Sequence, residues 1–119
     1  MTDKIEQLRQ LLTEMQDRAT IHDEKGVKRL VRRALDKGGI FNFMPPSNAF
    51  GKSGISDILA VHNGRFVAIE TKYGSNKPTE MQLQFGQNVV SAGAGFFVIS
   101  EKVFVDRMTN VFYYLLEGE

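Results

Sequence analysis

No cysteine occurs among the 119 residues. Disulfides and thiolate-bound metals are therefore excluded, which agrees with a reducing compartment. Charge of one sign is not in excess either, since the formal net charge is +1. That balance decides nothing about a polyanionic partner, because such binding depends on local clustering. No apolar run approaches the ~20 residues needed to cross a bilayer. The opening MTDKIEQLRQ is too polar for a secretory signal, so the expected location is cytoplasmic. Internal repeats and low-complexity segments are also missing. What is present, 42% hydrophobic and 24% charged residues, suits one folded domain with a single core.

The run DKIEQLRQLLTEMQ sets Ile5, Leu8, Leu12 and Met15 at spacings of three and four. This predicts a helix with one apolar stripe, capped by Asp3, that docks on its own domain or forms a dimer contact. A second helix is expected from about Asp23 to Lys37, stopped by Gly38-Gly39, with Val27, Leu30, Val31, Ala34 and Leu35 inward. Glu24 falls on that same face, where a carboxylate wants a cation or a hydrogen-bond partner. Lys25, Lys28, Arg29, Arg32 and Arg33 gather on the other side. This is either a solvated face or, with five like charges and no acid between them, a surface for phosphates.

Ile40 to Met44 reads as a short strand ended by Pro45-Pro46. The following SNAFGKSG contains GKS but has Pro46 where a phosphate-binding P-loop needs glycine, and no helix opens after Ser53. Lys52 and Ser53 stay candidates for a mobile loop touching a polyanion. Ile55–His62 and Arg65–Lys72 are strand-forming runs joined by Asn63-Gly64, a strong hairpin signal. A third helix spans roughly Thr79 to Ala92, and GFFVIS is a buried-type strand reached by a right-handed crossover. The tail from Glu101 permits either a helix or an edge strand.

The hairpin turn makes His62 face Arg65, and the same register sets Asp57 opposite Glu70. Directly opposed residues share a sheet face, with Cβ atoms ~4.5–5.5 Å apart, and Lys72 projects from that face two positions on. Facing carboxylates repel one another. A proton on one acid, neutralisation by Lys72, or a divalent cation between them relieves that repulsion. Paired carboxylate oxygens suit a hard ion such as Mg²⁺ or Mn²⁺, with Glu24 as a further ligand. The plainer alternative is a salt-bridged sheet in which Lys72 pairs with Glu70 and Asp57 caps the loop before it. His22 and His62, near a helix start and a turn, are poor general bases.

G-I-S-Asp57 followed by Glu70-T-Lys72 resembles the signature of the PD-(D/E)XK nuclease superfamily, with Ser56 at its usual proline position. Helical Glu24 ahead of it, the glutamine in PTEMQ and Gly93 before a strand narrow the resemblance to the virus-type replication-repair (VRR) nuclease domain. It covers about residues 22 to 105. Periodicity chooses Gln82 over Gln84 for the helical glutamine, because Gln82 shares the inward face with Phe85 and Val89. Its plain reading is a core-edge glutamine bonded to backbone.

The resemblance implies an α/β fold, a central mixed sheet of about four strands flanked by helices, with the site at one edge of the sheet. It implies Mg²⁺-dependent hydrolysis of DNA, with Mn²⁺ substituting. Asp57, Glu70 and the Thr71 carbonyl would hold the ion with Glu24 in support, while Lys72 and Gln82 would act on water or phosphate. Lys28, Arg29, Arg32, Arg33, Lys52 and Ser53 become the expected DNA contacts. Residues 1–20 are an N-terminal helix outside the resemblance, and 21–119 form one nuclease-like domain. Family members made of this domain alone resemble Holliday-junction resolvases, which implies a homodimer acting on branched DNA in a bacterial or phage-infected cytoplasm. The alternative is a catalytically silent nuclease-fold module that binds nucleic acid or protein.

Overall fold

The computed structural model describes residues 2–46 and 54–118. Among the described residues four helices and four strands follow one another: α1 (Thr2–Arg18), α2 (Glu24–Lys37), β1 (Phe41–Phe43), β2 (Ile58–His62), β3 (Arg65–Lys72), α3 (Glu80–Ser91), β4 (Gly95–Ser100) and α4 (Phe104–Glu117). One mixed sheet has the order β1-β2-β3-β4; its first two pairings are antiparallel and β3–β4 is parallel. Helix α3 makes the crossover that a parallel pair requires. The α/β architecture therefore agrees with the one expected.

Asn63 and Gly64 both take positive φ, 51° and 78°, as a two-residue hairpin turn demands. The resulting register pairs His62 with Arg65 and Ile58 with Ile69. Alternation then sends Ile58, Ala60, Val67, Ile69 and Ile99 to one face, where they are buried with the apolar stripes of α1, α2 and α4. Ile5, Leu8, Leu12 and Met15 are part of that core, and α1 runs against α4. The opposite face carries Leu59, Ala68, Glu70, Lys72 and Phe96. Helix α3 lies over part of it, with the Phe96 ring against Gly86.

Strand β1 is one residue shorter at each end than the expected Ile40 to Met44, and three further points bear on the expectation. Helix α1 already starts at Thr2, so Asp3 sits within its first turn rather than capping it. There its charge still faces the positive helix end. Strand β2 starts at Ile58 rather than Ile55, because Asp57 breaks from the ladder and offers its side chain instead of its backbone. The tail is a helix. Phe104, Met108, Val111, Phe112 and Leu115 form a single buried stripe, and an edge strand cannot bury that spacing. Among the described residues no helix is long and apolar enough to cross a membrane.

Candidate active site

Asp57 stands one position beyond the last β2–β3 pair, at the end of the sheet where β2 begins and β3 finishes. Both are interior strands, so the acids sit at strand ends and not along a lateral edge of the sheet as expected. One carboxylate oxygen of Asp57, Oδ2, accepts from the Thr71 backbone N–H and from the Thr71 hydroxyl, each at 2.9 Å. Thr71 is fully buried, so these bonds hold the carboxylate in a fixed place. The other oxygen, Oδ1, faces the Lys28 ammonium at 3.6 Å.

Glu70 is only 1% exposed. Neither of its carboxylate oxygens has a hydrogen-bond partner among the described residues. The Lys72 ammonium lies 3.6 Å from Oε2, a charge contact too long for a hydrogen bond. Burial, then the charge of Asp57, push the Glu70 carboxyl from 4.5 up to about 8. Lys72 opposes that rise. Glu24 contributes the smallest part through its negative charge. The opposed acid, the lysine and the more distant glutamate thus all act on Glu70.

This donor set fits a hard divalent cation. Orphaned, buried carboxylate oxygens beside a second acid are what such an ion satisfies. Glu24 is half-buried in the first turn of α2. Among the described residues, however, no three acidic or histidine side chains converge into a complete cage. The two acids that would share such an ion are Asp57 and Glu70, with Glu24 outside the pair.

Gln82 occupies the half-buried side of α3 and Gln84 the exposed side, as the periodicity predicts. Its carbonyl oxygen accepts from the Thr79 backbone N–H at 2.9 Å, while the Thr79 hydroxyl accepts from the Gln82 N–H at 3.2 Å. This reciprocal capping box was legible in T-E-M-Q and gives Gln82 a structural duty in addition to its place at the site. Gln82, Lys28, Gly54, Ser56 and Asp57 border one cavity of about 410 Å³. Gly54 makes that closeness possible: at φ 80° a Cβ would meet the Met81 carbonyl oxygen at 2.5 Å.

The basic stripe of α2 divides by function. Arg32 donates through Nε to the Asn42 side-chain oxygen at 2.9 Å and ties α2 to β1, while Lys25, Arg29 and Arg33 are exposed. Lys28 turns into the site, a role sequence reading missed. The signal was its position one turn after Glu24, which sets both on one flank of the helix. Lys52 and Ser53 lie outside the described residues.

Ser56 is a second missed feature. It is 1% exposed, and its hydroxyl has no partner among the described residues. Ser56→Ala is expected to stabilise the protein by about 1 kcal/mol, since it deletes an unsatisfied buried group at small cavity cost. Thermal melting checks this, and a lower midpoint would show that the hydroxyl is bonded.

No protein-family model matches the chain, and no curated protein does. In three dimensions the chain has the fold of a solved structure described as a "VRR_NUC domain protein", with a TM-score of 0.62 and 17% identity, covering 84% of this chain and 93% of that one.

Proposed function

We propose that the chain is a divalent-metal-dependent DNA endonuclease. The observation that carries this reading is the buried, unpartnered Glu70 carboxylate opposite Asp57, with Lys72 at 3.6 Å. The shared fold supports it. Asp57 and Glu70 would hold Mg²⁺ or Mn²⁺, with Glu24 in support from outside. The Thr71 carbonyl is a third donor: in a strand it leaves on the same side as the N–H that reaches Asp57. When bound, the ion supplies charge neutralisation at the scissile phosphate and a more acidic water.

The chain's own residues do the rest. Thr71 fixes the direction of Asp57. Lys72, nearly enclosed, directs its protons at the phosphate oxygens as negative charge builds there. Gln82, anchored by its capping box, borders the space where water and phosphate meet. Water adds to phosphorus, the ester P–O bond breaks, and the leaving oxygen takes up a proton. Lys28, Arg29, Arg32 and Arg33 meet neighbouring phosphates of branched DNA. A homodimer places two such sites on opposing strands. Its support is the apolar strip of Leu83, Val90 and Phe96 along α3 and β4.

The test is cleavage of four-way junctions, flaps, single strands and linear duplex with and without Mg²⁺, alongside calorimetric titration with Mn²⁺. Lys72→Ala is expected to lose cleavage by about a hundredfold or more while retaining DNA binding. Normal cutting by that variant removes Lys72 from the mechanism. A specific observation favours the silent binding module as the second reading: each acid already has its own lysine, Asp57 with Lys28 and Glu70 with Lys72. Failure of the wild type to take up Mn²⁺ decides for it.

A further inference from the structure

Asp57 facing Lys28 and Glu70 facing Lys72 set the charge balance of the site in the metal-free protein. A divalent cation between Asp57 and Glu70 adds two positive charges to that balance. An ammonium must then move away or find an anion, because like charges at this range repel. The two lysines are not equally able to move. The Lys72 side chain is 11% exposed at the end of an interior strand. Lys28 reaches in from the rim of α2 with its side chain 28% exposed.

Lys28 also stands where two cavities meet. Together with Met44 it borders both the space beside Asp57 and a groove of about 510 Å³ along α2. That groove is lined by Lys25, Arg29, Arg32 and Arg33, with Asp36 as its lone acid. It has the charge that a phosphodiester backbone requires. Asp57 Oδ1 is the oxygen left over after Thr71 has taken Oδ2, so Lys28 occupies the position a cation ligand needs.

We propose that Lys28 is an exchangeable counter-ion: it neutralises Asp57 in the free protein and, once a divalent ion binds there, passes to a DNA phosphate beside the one cleaved. The inference rests on the nuclease reading above and adds a phosphate subsite at the mouth of the α2 groove. It also makes metal and DNA each favour the binding of the other, since one releases the ammonium that the other uses. Such coupling is reciprocal by thermodynamic necessity.

The test compares wild type, Lys28→Met and Lys28→Arg. Lys28 is partly exposed on a helix, and methionine keeps both helix propensity and the apolar stem, so the fold is retained. In calorimetric titration with Mn²⁺ and no DNA, Lys28→Met is expected to bind about fivefold more tightly, because a competing cation is gone. Lys28→Arg is expected to stay near the wild type. Next, affinity for a four-way junction is measured against salt concentration, without divalent ion and with Ca²⁺.

With Ca²⁺ the Lys28→Met slope is expected to be shallower than wild type by about 0.9, the loss of one phosphate contact. Without divalent ion the two slopes should coincide. Equal Mn²⁺ affinity in wild type and Lys28→Met overturns the proposal, as does a slope difference that is the same with and without Ca²⁺. No Mn²⁺ uptake by the wild type overturns the nuclease reading itself, and the exchange with it, so the two failures are told apart.

Discussion

Asp57→Asn is expected to lower Mg²⁺-dependent cleavage about a thousandfold and to leave the fold intact. The size follows from the several kcal/mol of charge stabilisation a correctly held ion contributes at phosphate. Stability is spared because the amide oxygen can still accept from the Thr71 N–H, which reaches Asp57 Oδ2 at 2.9 Å. Asp57→Ala behaves differently. It strands that N–H in a residue with no exposed surface, at a cost of about 2 kcal/mol, so the alanine variant confuses lost chemistry with lost structure. Initial rates paired with melting curves for both variants separate the two contributions. An asparagine variant that cuts at the wild-type rate would remove Asp57 from the site.

The second large effect concerns Glu70 and pH. Its carboxyl titrates near 8 in the fold against an ordinary 4.5, so between those values the folded chain holds a proton that the unfolded chain releases. The favourable contribution is therefore complete below about 4.5 and is lost as pH rises through about 8. Metal-free protein should melt at a lower temperature at pH 8.5 than at pH 6. Glu70→Gln removes the buried charge and flattens this dependence.

Lys72 loses its counter-charge in that variant, which takes back part of the gain. The net increase at pH 8.5 is about 2 kcal/mol, or roughly 8 °C in midpoint. Mn²⁺ should reverse the pH trend in the wild type and have no such effect on Glu70→Gln. Melting at several pH values, with and without Mn²⁺, checks each part. A glutamine variant less stable than wild type at pH 8.5 contradicts the origin assigned to the shift.

The same residues show why some of the site was legible in sequence and some was not. Asn63-Gly64 fixes a register, and a register fixes who faces whom. The opposition of Asp57 and Glu70 follows from it because side chains alternate strictly along a strand. Helical periodicity likewise separated Gln82 from Gln84 and identified the buried faces of α1 and α2. The tail stayed ambiguous because VFYYLL satisfies a strand locally; its burial against the core selects the helix.

Sequence alone places Lys28 in a solvated or phosphate-binding stripe. A long side chain on a helix flank turns inward or outward according to what stands opposite, and Asp57 lies 29 positions away in the chain. The Ser56 hydroxyl and the proton affinity of Glu70 are equally invisible to sequence, since both depend on how much water the fold removes.

Local rules thus determined the hairpin, the helix faces and the meeting of two acids with one lysine, because turn geometry and periodicity act over a few residues at a time. Only the tertiary structure decided which cation each acid faces, how deeply Glu70 is buried and that α2 delivers Lys28 to Asp57. Those outcomes depend on the packing of elements distant in the chain, and charge responds to that packing through distance and lost solvent.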